Sequence, residues 1–123
     1  MSRVRGHSTQ PEKFVRSLLH RMGYRFRVNR SDLPGKPDIV LSKHMKIIFV
    51  HGCFWHGHKG CKRSARPTTN EDFWNRKLSG NIERDRRLKI KLQRYGWRVL
   101  VIWGCETKSE ERVKRKLMKF LAG

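Results

Sequence analysis

Residues 38–58 read DIVLSKHMKIIFVHGCFWHGH, and this stretch decides both the fold and the chemistry. Asp38 to Leu41 and Lys46 to Val50 are short β-branched runs around the polar Ser42 to His44, which predicts a hairpin. The second run opens directly into a segment dense in cysteine, histidine and aromatic residues. Upstream, Pro34, Gly35 and Pro37 mark the loop Asn29 to Pro37, and before it Tyr24, Phe26 and Val28 alternate with Arg25 and Arg27, as a half-buried strand does. Earlier still, Thr9 and Glu12 fit a capping box with Pro11 in the first turn, and Phe14, Val15, Leu18, Leu19 and Met22 recur at helical spacing up to Gly23.

Downstream, Asn70 is placed to cap a short helix through Trp74 to Leu78, and Asn81 a longer one whose Leu88, Leu92 and Tyr95 share a face before Gly96. Trp97 to Trp103 is apolar except for Arg98, which predicts a strand buried on both faces. Ser109, followed by Glu110 and Glu111, opens a final amphipathic helix through Val113, Leu117, Phe120 and Leu121. The predicted order is helix, three strands, helix, strand, helix, in one α/β domain over residues 1–123, with no internal repeat.

Thirty Lys and Arg stand against ten Asp and Glu, a formal charge of +20, which a compact chain tolerates best beside a polyanion. Composition alone fits a ribosome-type structural protein as well as a nucleic-acid enzyme, so the choice rests on site residues. The longest apolar runs, Ile47 to Val50 and Val99 to Trp103, are far too short to span a bilayer. Met1 to Gln10 lacks the apolar core of a secretory signal, so the expectation is a cytoplasmic protein.

Three cysteines cannot all pair within one chain, and a reducing compartment leaves thiols free for metal. Cys53, His58 and Cys61 lie within nine positions, and Cys105 falls just past the last predicted strand, where it can return to the same loop. Three thiolates and one imidazole complete a tetrahedral zinc shell with no open position, the pattern of a structural ion. Buried cysteines are ordinary core residues elsewhere, but four soft ligands in irregular, polar surroundings favour the metal.

Several segments together resemble the very-short-patch mismatch repair (Vsr) endonucleases. They are Thr9 to Glu12 with its helix, Asp32 to Asp38, His51-Gly52-Cys53-Phe54-Trp55-His56, Phe73-Trp74, Asn81 to Arg87 and Gly96 to Val99. The resemblance implies a single-domain variant of the PD-(D/E)xK restriction-endonuclease-like fold, with an αβββαβ core, a mixed central sheet and a structural zinc. It also implies Mg²⁺-dependent nicking 5′ to the thymine of a T:G mismatch left by deamination of 5-methylcytosine, leaving 5′-phosphate ends. The partners it implies are mismatched double-stranded DNA and, functionally, a cytosine-5 DNA methyltransferase and mismatch-repair proteins, with one chain acting as a monomer. Phe49-Val50-His51 replaces the (D/E)xK of the wider class, and Val50 stands where the best-known family member has threonine, which leaves only its backbone carbonyl for the metal. Gly60 is an extra residue in the zinc loop.

In that frame Asp38, at a strand start after Pro37, is the first Mg²⁺ ligand, because a hard cation prefers carboxylate oxygen. His56 is the expected general base, His51 assists and is oriented by Asp85, and Glu12 reaches the metal through water. Phe54, Trp55 and Trp74 are the expected wedge beside the mismatch. A DNA-contacting arm, residues 1–8, carries Arg3 and Arg5 and offers Met1 as a second wedge. Two other readings remain: a Vsr-like nicking enzyme of a mobile element or restriction system indifferent to mismatches, and a non-catalytic zinc-containing DNA-binding module.

Overall fold

The protein is described here from a computed structural model covering residues 10–122. The arm, with Met1, Arg3 and Arg5, and the Thr9 half of the capping box lie outside the described residues. In chain order come α1 (Gln10–Arg21), β1 (Arg27–Val28), β2 (Ile39–Leu41), β3 (Lys46–His51), α2 (Glu71–Arg94), β4 (Arg98–Trp103) and α3 (Glu110–Ala122). The four strands form an open mixed sheet ordered β1-β2-β3-β4, antiparallel up to β3 and parallel between β3 and β4. The expected hairpin is present, with Ile39 opposite Ile48 and its tight turn completed by Met45 at φ 55°.

Strand alternation builds a core on each face of the sheet. Ile39, Leu41, Ile48, Val50 and Ile102 point to one side and bury Val15, Leu18 and Leu19 of α1 together with Val113, Leu117 and Leu121 of α3. Val40, Ile47 and Phe49 point to the other and meet Leu92 of α2. All of β3 is buried, including Lys46, whose ammonium donates to the carbonyls of Phe120 (2.9 Å) and Leu121 (3.1 Å) at the C-terminus of α3.

Three local expectations are corrected. The predicted strand from Tyr24 to Val28 shrinks to Arg27–Val28, because β2 offers only three residues to pair with, while Tyr24 and Phe26 turn into the core instead. The strand expected to be buried on both faces is not: in β4 only Ile102 is buried, since α2 leaves the Val99, Val101 and Trp103 side partly open. The two helices predicted from Asn70 and Asn81 are one, α2, running unbroken for 24 residues through Ser79 and Gly80. Asn70 does precede α2, yet with φ 56° and without a side-chain cap bond. Asn81 caps nothing and donates its amide to the Trp55 carbonyl at 3.1 Å. A mid-helix glycine costs about 1 kcal/mol, which the surrounding turns of a long helix absorb.

Candidate active site and metal-binding cluster

Asp38 precedes β2, and its Oδ2 accepts the Val50 backbone N–H of neighbouring β3 at 2.7 Å. N–H and C=O of one residue in an extended strand face the same side, so the Val50 carbonyl also looks toward Asp38. Burial pushes the Asp38 carboxyl up to about 7, with the Glu12 charge adding to the rise and the Val50 bond opposing it. Glu12 is itself buried in α1, 3.4 Å from the Arg16 guanidinium. Two carboxylates crowded into one wall destabilise each other's charge, and a hard divalent cation between them removes that penalty. Asp38, Glu12 and the Val50 carbonyl therefore fit Mg²⁺ by donor type.

They line a cavity of about 750 Å³ together with His51, His56 and Asp85. His51 ends β3, and the chain turns so that the His56 ring lies flat on it, centroids 3.9 Å apart and 5° from parallel. His56 Nδ1 is 2.5 Å from Asp85 Oδ2, on α2. Asp85 thus partners His56 and not His51, correcting the expected pairing: His51 points from the strand toward the sheet side of the stack, while His56 on the loop reaches the helix. With Nδ1–H donated to the carboxylate, His56 keeps an Nε2 lone pair to take a proton. Burial, and then the neighbouring His56, lowers His51 to about 3, so His51 stays neutral and is a weak base.

The loop turns at Gly57, φ 59°, where an added Cβ would lie 2.4 Å from the Ile82 side chain of α2. The left-handed backbone there is one that glycine adopts without strain, and a side chain would also have to displace the end of Ile82. Past this point, Cys53, His58, Cys61 and Cys105 converge, their ligand atoms all within 4.8 Å of one another. Cys105 sits in the short turn Gly104–Lys108 after β4. Its Sγ is 3.5 Å from His58 Nδ1, close to the ~3.6 Å edge expected of a tetrahedron with Zn–S of about 2.3 Å and Zn–N of about 2.0 Å. Burial and then the neighbouring sulfurs of Cys53 and Cys61 push the Cys105 thiol up to about 11, a repulsion that a bound dication reverses. The donor set and its spacing fit zinc.

Phe54, Trp55 and Trp74 form one cluster with centroid separations of 5.1 to 5.8 Å, and Phe73 adds a fourth ring 5.2 Å from Trp74. None of these four rings belongs to the cores on either sheet face. Trp55 and Phe73 are 48% and 53% exposed, so half of each ring is available to a partner. Trp55 also lines the cavity, and a half-exposed ring cluster of this kind beside it is suited to stacking on bases.

With this geometry established, comparison with known proteins gives a consistent answer. The profile of the family described as DNA mismatch endonuclease Vsr matches residues 1–63. The type II nicking enzyme V.XorIIP of Xanthomonas oryzae is 48% identical over 121 residues, covering 98% of this chain and 88% of that protein. The DNA mismatch endonuclease Vsr of Escherichia coli is 42% identical over 113 residues, covering 92% and 72%. The chain belongs to the Vsr endonuclease family. Among solved structures, the catalytic domain of homing endonuclease I-Bth0305I shares the fold at TM-score 0.59 and 27% identity, over 94% of this chain and 96% of that one.

Vsr membership makes the protein an endodeoxyribonuclease acting on DNA. Among the described residues, no helix is long and apolar enough to cross a membrane. Every Vsr-derived site residue from Glu12 onward falls into one of three adjoining groups: the carboxylate wall, the histidine stack with the Cys/His cluster, or the aromatic patch. Sequence reasoning assigns no site role to Phe73, which it quotes only within the Phe73-Trp74 segment, or to Trp103. Phe73 carries a usable signal, standing beside Trp74 at the start of a polar helix, whereas Trp103 looks like any strand aromatic until its neighbours are known.

Proposed function

We propose that this chain nicks one strand of double-stranded DNA 5′ to the thymine of a T:G mismatch arising from 5-methylcytosine deamination, and so initiates very short patch repair. The observation that carries the nuclease chemistry is the single cavity in which Asp38 and Glu12 face the His51–His56–Asp85 array. Asp38 and the Val50 carbonyl would hold Mg²⁺, with Glu12 acting through water, while Cys53, His58, Cys61 and Cys105 would hold a structural zinc. When bound, Mg²⁺ supplies charge neutralisation at the scissile phosphate.

The chain's own groups do the rest. His56 Nε2 accepts a proton from the attacking water, Asp85 stabilises the resulting imidazolium through Nδ1–H, and neutral His51 holds the ring from the sheet side. Water oxygen bonds to phosphorus, the P–O3′ bond breaks, and the departing oxygen takes a proton from solvent water, giving 5′-phosphate and 3′-hydroxyl ends. The surplus of Lys and Arg neutralises flanking phosphates without reading sequence. One such centre per chain suffices for one nick, so a monomer is enough. A methyltransferase that makes 5-methylcytosine, and mismatch-repair proteins, would be its functional partners.

The names of several relatives, among them V.XorIIP, specify nicking without mention of mismatches, which favours as a second reading a nicking enzyme indifferent to mispairing. A nicking assay with Mg²⁺ on labelled T:G and fully paired duplexes separates the two. Preferential cutting of the T:G strand supports the first reading, equal cutting the second, and binding without cutting would reduce the protein to a DNA-binding module.

The aromatic patch supports mismatch selectivity, because a mispaired step unstacks more readily than a paired one. Trp74→Ala is expected to reduce nicking of the T:G duplex by about tenfold or more relative to non-specific DNA binding, since stacking on a base is worth ~1–3 kcal/mol. Its melting temperature should stay near that of the wild type. A destabilised variant that keeps its full T:G preference would place Trp74 in the core and refute the wedge.

A further inference from the structure

Trp103 and His51 are register partners at the ends of the parallel strands β4 and β3, and both project to the α2 side of the sheet. The indole meets the His51 ring edge-on, 5.4 Å between centroids at 71°. On its other side it lies flat against His58, 4.2 Å away and 9° from parallel. One side chain thus touches an imidazole of the Cys/His cluster and an imidazole of the histidine stack. Its backbone is anchored as well: the Trp103 N–H donates to Glu106 Oε1 at 2.8 Å, and Glu106 is held by Lys116 at 2.8 and 3.0 Å.

The histidine stack needs such support. His51, His56 and Asp85 line two cavities at once, the one of about 750 Å³ and a second of about 470 Å³ that Trp103, Ile82, Leu88 and Val101 also line. Among the described residues, His51 has ring contacts with Phe49, His56 and Trp103. Phe49 is fixed by the sheet. Trp103 is the contact that also registers the position of His58.

We propose that Trp103 is a positioning residue that couples the Cys/His cluster to the catalytic histidines: with zinc drawing His58 into place, the indole is pressed against His51 and the His51–His56 stack is held in line with Asp85. The inference rests on the nuclease reading above. Loss of the zinc-organised cluster then lowers nicking through ring orientation and not only through loss of folded protein.

The test compares Trp103→Phe, which keeps a flat ring, with Trp103→Leu, which does not, both as zinc-loaded protein. Three quantities are measured: zinc per chain with melting temperature, the single-turnover nicking rate on saturating DNA, and the ¹⁵N NMR signals of the His56 ring, which report its tautomer and its bond to Asp85 and are nearly blind to the ring current lost with the indole. His56 reports coupling because it stacks on His51 and makes no ring contact with Trp103. Trp103→Leu should keep its zinc and its DNA affinity, shift the His56 signals and nick about 10- to 100-fold more slowly, as misplacement of a reacting group by ~1 Å does. Trp103→Phe should recover most of the rate and the wild-type His56 signals. The proposal is overturned if Trp103→Leu leaves the His56 signals unmoved, if it nicks like the wild type, or if the two variants lose rate equally in step with zinc and stability. Should Trp103→Leu not fold, a Trp103→Phe protein with displaced His56 signals supports the coupling and one with unmoved signals and reduced rate opposes it. The NMR shifts stand whether or not DNA is cut, so absence of nicking by the wild-type protein would count against the nuclease reading alone.

Discussion

Asp38→Asn is expected to abolish nicking and, in the same protein, to raise the melting temperature of the metal-free chain. The amide keeps the side chain's shape and can still accept the Val50 N–H, but it carries no charge into a half-buried position beside Glu12. The sign follows from the raised folded-state pKa. Between the unfolded value of 3.8 and about 7, the folded state holds a proton that the unfolded state has lost. Stability of the metal-free protein therefore falls as pH rises through that window and stays low above it. Removing the carboxylate should restore a few kcal/mol at pH 8, equivalent to about ten degrees or more in a chain of this size, and the gain should vanish near pH 4. Added Mg²⁺ should raise the melting temperature of the wild type and leave that of the variant unchanged. Thermal melts at pH 4 and pH 8, with and without Mg²⁺, alongside the nicking assay, check each part. Substantial residual nicking would remove Asp38 from the metal site.

Cys53→Ser should act in the opposite direction on stability. Cys53 is buried where the loop leaves the sheet, and its carbonyl accepts the His58 N–H at 3.0 Å, so it organises the cluster through both side chain and backbone. Structural zinc in small domains contributes ~10–16 kcal/mol of binding energy to folding. Even a fraction of that exceeds the whole stability of many domains this size. The expected result is zinc content falling from about one ion per chain to nearly none, a melting temperature lower by more than about ten degrees, and loss of DNA binding and nicking together. Chelation of the wild-type protein should reproduce the variant's melt. A wild-type protein that purifies without metal, with a Cys53→Ser melt unchanged, would reduce these thiols to packing.

The hairpin was readable because β-branched runs around a polar turn are a local signal, and the Cys/His cluster because its residue types are rare and chemically specific. Periodicity recovered α1 and α3, each of which buries a clean stripe on the sheet. It failed at α2, where Ser79, Gly80 and Asn81 look like a break and a new start, yet packing on both sides carries the helix through. The partnership of Asp85 could not be read from spacing, because it depends on which of two stacked imidazoles reaches the helix. Trp103 was hidden for a similar reason: its meaning lies in a register pairing between strands 52 positions apart in the chain.

The continuity of α2 also sets a length. Trp74, in the aromatic patch, and Asp85, the partner of His56, are eleven residues apart on one unbroken helix. Eleven residues make just over three whole turns, so both side chains issue from nearly the same face, about 16 Å apart along the axis. Two shorter helices hinged at Gly80 would let that span vary with the DNA. A rigid rod does not: residue count alone fixes how far the Trp74 ring stands from the Asp85 carboxylate that partners His56, so the aromatic patch and the histidine stack keep one spacing. A change in that spacing would have to come in near-whole helical turns, because adding or removing a single residue rotates the far end of the rod by about 100° and turns Trp74 off the face that carries Asp85.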